Sequence, residues 1–132
     1  MRTLLTIGII LFPAFGAVAA DCPLQGKWKS DAARTLADIA TRDSFEDGEL
    51  NAVSEDLFGH MIHEWTCTEV RAYFENSEPA DAVTYQIHER EAESFIVTVH
   101  GATEFELKIV LEGACYKVLA GGRQFYEYFC PV

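Results

Sequence analysis

Apolar and polar residues alternate with a period of two along most of the second half of the chain. The cleanest run, FELKIVL at 105–111, has an apolar residue at every odd position, and similar alternation occurs at 83–88 and 94–100. This period is typical of antiparallel strands that bury one face. It predicts about six strands in a meander, with Gly26–Ser30 as a candidate seventh. The six lie near 60–74, 80–90, 94–100, 103–112, 114–119 and 123–130.

The connections between these strands predict which side chains face the interior, because a slip of one residue reverses every side chain. We expect a two-residue turn at Glu112-Gly113, a loop around Gly121-Gly122, and three-residue loops at 91–93 and 101–103. These turns pair Ile87 with Val97, Val99 with Phe105, Ile109 with Tyr116, Leu107 with Val118, Val118 with Phe125, and Tyr116 with Glu127. The predicted inward set is Tyr85, Phe95, Phe105, Tyr116, Phe125 and Glu127.

The segment between the first strand and the meander has a helical period instead. Residues 31–42 place Leu36, Ile39 and Ala40 at helical spacing, with Ser30 or Asp31 as N-cap. Residues 46–61 predict a second helix that stops at Gly59. A meander of this length curls, so we expect a mainly β fold: a barrel or half-barrel with one or two short helices between its first two strands.

The first 20 residues have the pattern of a cleaved secretory signal. A single basic residue, Arg2, precedes an apolar run of twelve residues and then small residues up to Ala20. Asp21 stands where a lipoprotein signal needs a small residue, so Cys22 is not a predicted lipid anchor. We therefore expect a single domain at 21–132, secreted or periplasmic and without a membrane anchor.

The chain is strongly acidic, with a formal net charge of −11 over 132 residues. Removal of the leader takes away one positive charge and leaves −12. Such a surface disfavours nucleic acid and anionic membranes as partners. It is compatible with a cationic protein partner, or simply with solubility.

Four cysteines follow the leader: Cys22, Cys67, Cys115 and Cys130. An even number in a small exported domain predicts two disulfides, for which three connectivities exist. If the first and last strands are neighbours, Cys22 pairs with Cys130 and Cys67 with Cys115. The spacing contains no CxxC motif, which argues against a zinc or redox centre.

Four segments, "GKWKSDAARTL", "EWTCTEV", "GACYKV" and "FYEYFC", together resemble a family of small secreted bacterial lipocalin-like (calycin-type) proteins over nearly all of 21–132. The resemblance implies that Trp28 plugs one end of a barrel beneath a basic side chain of the last strand. Arg123 is the only arginine there, and it lies at the start of that strand. Calycins as a group bind small apolar ligands or inhibit other proteins, and most are not enzymes.

The inward set predicts a candidate ligand cavity with Glu127 as its polar anchor. A carboxylate that faces a barrel interior needs a hydrogen-bond donor, and Tyr116 or Tyr85 is placed to supply one. Two alternatives stay open. In the first, a register slip moves Glu127 outside and brings Tyr126 and Tyr128 inside. In the second, side chains fill the barrel and leave no cavity.

The remaining polar residues do not predict a catalytic or metal site. His60 and His63 fall on opposite faces of a strand, and His88 and His100 face outward, so we expect solvated histidines. No Gly-x-Ser-x-Gly motif occurs. We expect no enzyme, no cofactor and no metal. The expected function is a non-enzymatic exported lipocalin-like protein that binds a small apolar ligand. The alternative is an acidic inhibitor or immunity-type protein that blocks a cationic secreted or periplasmic enzyme.

Overall fold

A computed structural model of the protein describes residues 22–42, 58–120 and 124–132. These residues form one helix and eight strands: β1 (Gly26–Ser30), α1 (Ala32–Ala40), β2 (Met61–Trp65), β3 (Glu69–Phe74), β4 (Val83–His88), β5 (Ser94–His100), β6 (Glu104–Glu112), β7 (Cys115–Ala120) and β8 (Glu127–Pro131). The leader at 1–20, most of the second predicted helix and Arg123 lie outside the described residues. Among the described residues, no helix has the length and apolar character needed to cross a membrane.

The strands form a closed antiparallel barrel in which each strand pairs with the next and β1 also pairs with β8. This confirms the mainly β, lipocalin-like architecture. The predicted strand at 60–74 is two strands, so the barrel has eight. They are separated by a turn in which Thr66 both donates its backbone N–H to the Glu69 carbonyl, at 2.9 Å, and accepts the Glu69 N–H on its hydroxyl, at 2.9 Å. The threonine side chain supplies the turn that a glycine or proline usually signals.

The register confirms some predicted pairs and moves others by two residues. Ile87 pairs with Val97, and Val99 with Phe105, as predicted. In the next two hairpins, Val118 pairs with Ile109 and with Glu127, whereas we predicted Leu107 and Phe125 as its partners. The first of these turns is formed by Gly113 and Ala114, with a φ of 62° at Gly113, and not by Glu112 and Gly113. Because the shift is an even number of residues, the inward and outward faces are unchanged.

Helix α1 lies against the start of β8 and confirms the helix predicted over 31–42. Asp31 is its N-cap and accepts the backbone N–H of Arg34 at 3.0 Å. The side chains of Thr35 and Asp38 accept the backbone N–H groups of Tyr128 and Tyr126, at 3.0 and 3.1 Å. These two hydrogen bonds dock the helix on a strand whose N–H groups would otherwise need another partner.

Large side chains fill one end of the barrel, which we call the closed end. It is formed by Leu24, Trp28, Trp65, Tyr85, Tyr116 and Phe129. The half-buried Trp28 stacks obliquely on Tyr116, with ring centroids 4.7 Å apart, and donates its indole N–H to the Leu24 carbonyl at 2.8 Å. Gly26 begins β1 with a φ of 136°, which is accessible to glycine and strained for other residues. The glycine two residues before Trp28 therefore has a backbone reason to be there.

The disulfides join Cys22 to Cys67 and Cys115 to Cys130. The preferred pairing of Cys22 with Cys130 and Cys67 with Cys115 is therefore wrong. The two-residue register shift places Cys115 opposite Cys130 on β7 and β8, with their Cα atoms 4.3 Å apart. Cys22 precedes β1 and Cys67 lies in the β2–β3 turn, and these positions meet because Gly26 pairs with Trp65.

We expect the Cys22–Cys67 disulfide to stabilise the fold more than the Cys115–Cys130 disulfide, because the loop that it closes is longer. The sequence separations are 45 and 15 residues. Loop-closure entropy predicts losses of about 4 and about 3 kcal/mol when each pair is replaced by alanine. Peptide mass mapping verifies the pairing, and urea unfolding of the two double variants measures the losses. Equal losses, or a larger loss for the shorter loop, would contradict the entropic explanation.

Candidate functional site

A cavity of about 450 Å³ lies beside the closed end, whose Trp65 and Phe129 also line it, and extends toward the other end of the barrel. Its wall includes Ala80 and Asp81 from the β3–β4 connection and Gly101 from the β5–β6 connection, so we call this the open end. Most of the lining is apolar. The apolar side chains are Met61, Trp65, Val70, Ala72, Val83, Val99, Phe105, Leu107, Val118 and Phe129. The alternative of a completely filled barrel is therefore not what the structure contains.

Of the six predicted cavity residues, Phe105 and Glu127 line this cavity. The other four are not among the described residues that line it. Tyr85, Phe95 and Tyr116 are buried in the barrel core, and Phe125 packs edge-on against Phe58, with ring centroids 5.6 Å apart. Alternation along a strand predicts which face a residue occupies. It does not predict the level along the barrel axis, which depends on strand stagger.

Glu127 faces the interior and is 6 % exposed, so the register slip that would place it outside is excluded. Tyr126 and Tyr128 lie on the outer side, where the Lys117 ammonium is 5.0 and 5.9 Å from their ring centroids. Ser30 donates a hydrogen bond to Glu127, with its hydroxyl 2.8 Å from Oε2. We predicted Tyr116 or Tyr85 for this role, but the Tyr85 hydroxyl donates to the Thr66 carbonyl at 2.6 Å.

The hydroxyl of Ser30 is itself oriented by Gly59. The backbone N–H of Gly59 donates to Ser30 Oγ at 3.0 Å, so the hydroxyl proton of Ser30 is directed to Glu127. Gly59 has a φ of 90°, and a Cβ at this position would lie 3.3 Å from the Cβ of Ala32. A glycine therefore allows this close approach. The sequence predicted Ser30 only as a candidate helix cap, because its pairing with Glu127 requires β1 and β8 to be neighbours.

Four polar side chains line the cavity, His63, Arg71, Asp81 and Glu127. The environment of His63 differs from the one that we predicted. It is 9 % exposed rather than solvated. Burial lowers its pKa from 6.5 to about 3, so the imidazole is neutral near pH 7. Its ring is stacked on Phe129, with centroids 3.9 Å apart and planes at 15°. His63 and Trp65 are two residues apart on β2 and therefore share its inward face. This alternation was the signal in the sequence that could have predicted a buried His63.

The hydroxyl of Tyr116 joins His63 and Trp65 in one buried network. Trp65 Nε1 lies 3.1 Å from this hydroxyl, and His63 Nδ1 lies 2.7 Å from it. An indole nitrogen only donates, so the tyrosine oxygen accepts from Trp65. Among the described residues, His63 Nδ1 is the other hydrogen-bond partner of this buried hydroxyl, so the phenolic proton goes to Nδ1. Burial raises the pKa of Tyr116, which keeps the hydroxyl protonated. This network assigns the remaining proton of the imidazole to Nε2.

The other three histidines lie in more exposed positions and pair with polar neighbours. His60 contacts Glu75 at 2.7 Å, and hydrogen bonds from His60 and Lys29 lower the pKa of that carboxylate. His88 contacts the Thr98 hydroxyl at 2.6 Å, and His100 contacts Glu104 at 3.1 Å. Within the described residues, no group of three or more His, Cys, Asp or Glu side chains is arranged to hold a metal ion.

Comparison with protein families, with curated proteins and with solved structures finds no match to this chain. The cavity and its two buried polar side chains are therefore interpreted from their own chemistry.

The buried neutral His63 predicts a specific pH dependence of stability. Its pKa is about 3 when folded and near 6.5 when unfolded, so between these values only the unfolded chain binds the proton. The neutral imidazole therefore contributes fully to the free energy of unfolding above pH 6.5. This contribution is lost as the pH falls toward 3, at up to about 1.4 kcal/mol per pH unit. Urea midpoints measured from pH 7 to pH 4 should fall less steeply in His63→Gln than in the wild type. His100→Gln is the matched control and should keep the wild-type slope; parallel curves for the wild type and His63→Gln would refute the assignment.

Loss of the Tyr116 hydroxyl should destabilise the closed end. In Tyr116→Phe, the buried Trp65 N–H and His63 Nδ1 both lose their partner, and each unsatisfied group costs about 1–3 kcal/mol. In the matched control Tyr85→Phe, the group left behind is the carbonyl of Thr66, an exposed residue that water reaches. We expect a loss of about 1 kcal/mol for that variant. Urea unfolding of both compares the losses, and a loss for Tyr116→Phe no larger than that of Tyr85→Phe would contradict the network.

Proposed function

We propose that this protein is a non-enzymatic exported binding protein that holds a small apolar ligand in the cavity at the open end of its barrel. The observation that carries the proposal is the cavity itself, with its volume of about 450 Å³ and its mostly apolar wall. Small-molecule sites typically have volumes of about 300–1,000 Å³, apolar walls and a few polar groups that orient the ligand. Glu127 and His63 are such groups here.

Export to the periplasm or the medium is supported by two independent features. The first is the signal-like pattern of residues 1–20, and the second is the formation of two disulfides from the four cysteines. Disulfides form and persist in oxidising compartments and are rare in the cytosol. Both features agree with a protein of the lipocalin-like type that acts outside the cytoplasm.

A binding role, rather than catalysis, is supported by the state of the one imidazole in the cavity wall. A general base works best when its pKa lies near the working pH. The pKa of His63 is about 3, and its Nδ1 is occupied by the Tyr116 hydroxyl. His63 is therefore a poor proton acceptor near neutrality, although it still offers a hydrogen bond.

The cavity also favours this proposal over the second one that the charge suggests, an acidic inhibitor of a cationic enzyme. An inhibitor acts through its outer surface and has no need of an internal apolar space. The net charge of −11 would still steer a cationic partner toward the protein, so a salt-sensitive protein complex would be the mark of that second function.

A variant that fills the cavity tests the proposal. Ala72 lies on the inward face of β3 and lines the cavity, so Ala72→Phe places a ring in the ligand space. Apolar probes should change the tryptophan emission of the wild type, since Trp65 lines the same cavity. We expect Ala72→Phe to weaken their binding by at least about tenfold, equivalent to 1.4 kcal/mol.

The matched control is Ala33→Phe, the same substitution at an exposed position of α1. It should bind the probes as the wild type does. Equal binding by Ala72→Phe and the wild type would place the ligand elsewhere, and a lack of binding across a broad panel of apolar probes would remove the proposed function.

A further inference from the structure

The wall of the barrel is incomplete between β3 and β4. These strands share two backbone pairs, the second of which joins Val70 to Val83, whereas β2–β3 and β4–β5 share five pairs each. Continuation of the same register would place Ala72 opposite Asp81. The structure describes both strands and the whole connection between them, and no pair forms at that position. Ala72 and Asp81 both line the cavity, so the gap between the strands opens into it.

The backbone of β3 also shows that this gap is open. Alternate residues of an antiparallel strand direct their N–H and C=O groups to opposite neighbours. Glu75 donates its N–H to the His60 carbonyl on the β2 side, whereas the Thr68 carbonyl accepts from Tyr85 on the β4 side. The even-numbered Ala72 therefore directs its N–H and C=O into the gap. No hydrogen bond from a described residue reaches these groups, and Ala72 is exposed.

The other side of the gap is formed by residues 78–82, which we call the strap. Two strap residues, Ala80 and Asp81, line the cavity. The strap is anchored on both sides, because Ser77 donates its N–H to the Phe74 carbonyl at 2.9 Å and β4 begins at residue 83. Within the described part of the chain, no hydrogen bond or ion pair to a strap residue is found. Segments with so few interactions open at a low free-energy cost.

Arg71 lies at the gap and borders the barrel wall on both sides. A depression of about 250 Å³ on the outer surface is lined by Arg71, by Lys27 and Glu64 on β1 and β2, and by Ala82 of the strap. Arg71 and Trp65 line the internal cavity as well. A side chain that borders both spaces marks a thin part of the wall. Arg71 is half-buried, and its Nε lies 3.6 Å from Glu64 Oε2 on the outer side.

We propose that the gap between β3 and the strap is the route by which a ligand enters and leaves the cavity, and that Arg71 is the side chain that restricts it. This inference rests on the proposed function and adds the path of exchange. When the strap is displaced and Arg71 turns toward solvent, the cavity opens sideways, past Ala72 and Asp81. The ion pair of Arg71 with Glu64 is partly exposed, and exposed ion pairs contribute little to stability. The arginine therefore leaves Glu64 at a small cost.

The exchange rates of a neutral apolar probe test the route. N-Phenyl-1-naphthylamine is mixed with the purified, disulfide-bonded protein near pH 7 in a stopped-flow instrument, and its fluorescence gives the rate constants of association and dissociation. Because the probe is uncharged, a change of protein charge does not steer it. In Arg71→Ala the gap is wider, so we expect both rate constants to rise by about fivefold, with the dissociation constant within about threefold of the wild-type value.

The split between the two rate constants separates a route from a simple wall contact. If Arg71 only contacted the bound probe, its loss would raise the dissociation rate constant and weaken binding, while the association rate constant stayed the same. That result, or rate constants equal to those of the wild type, would overturn the inference. Lys27→Ala is the matched control, because Lys27 also pairs with Glu64, at 3.8 Å, and borders the outer depression. It is not among the described residues that line the cavity, so this variant should keep the wild-type rates.

A pair of variants with an added ring distinguishes the gap from the end of the barrel as the entrance. Ala82→Phe narrows the gap from the strap side, and we expect it to slow both rate constants by about fivefold. Ala102→Phe places the same ring at an exposed position of the β5–β6 connection, and it should keep the wild-type rates. Slowing by Ala102→Phe that equals or exceeds the slowing by Ala82→Phe would show entry over the barrel end and would overturn the route.

Failure of the proposed function has a different signature. In that case neither N-phenyl-1-naphthylamine nor other apolar probes bind to the wild-type protein, and the route falls with the function. Normal binding by the wild type, with rate constants that do not respond to Arg71→Ala or Ala82→Phe, removes only the route and leaves the cavity function in place.

Discussion

The pairing of β1 with β8 is the contact on which the rest of the structure depends. A meander that ends without it has two open edges, each with unpaired backbone groups. Once Ser30 pairs with Phe129, the sheet closes and both edges disappear. The same contact brings Ser30 within hydrogen-bonding distance of Glu127 and sets Trp28 against Tyr116. Helix α1 reinforces it from outside, because Thr35 and Asp38 accept backbone N–H groups at the start of β8.

The interior of the closed barrel is divided unequally between its two ends. An eight-stranded barrel has room for its own side chains or for one small ligand. Here the rings of Trp28, Trp65, Tyr85 and Tyr116 fill the closed end, where aromatic burial stabilises the fold. Smaller side chains such as Ala72, Val99 and Val118 leave the open end as a cavity. The aromatic packing and the cavity thus occupy adjoining levels of the same barrel, with Trp65 and Phe129 between them.

The buried polar groups are placed at the boundary between these two levels. Burial of an imidazole or a carboxylate is costly unless hydrogen bonds replace those lost from water. His63 obtains one from Tyr116, and Glu127 obtains one from Ser30. Each side chain is therefore held in place by a hydrogen bond from the protein, and each also lines the cavity. This arrangement fixes the orientation of both groups at the cavity wall.

Local patterns along the chain were sufficient to predict the features that depend on near neighbours. The period of two predicted the antiparallel strands and the inward face of Tyr85, Phe95, Tyr116 and Glu127, and Asp31 was among the predicted caps of α1. These features survive a register shift of two residues, because the alternation is unchanged. The folded barrel was needed to establish the disulfide pairing, the position of each side chain along the barrel axis, and the contacts of Glu127 with Ser30 and of His63 with Tyr116. Under the predicted register Cys115 lies opposite Tyr128, whereas the observed shift places it opposite Cys130. The physical reason is that stagger and closure join residues about a hundred positions apart, such as Ser30 and Glu127, and no local pattern along the chain encodes a contact of that range.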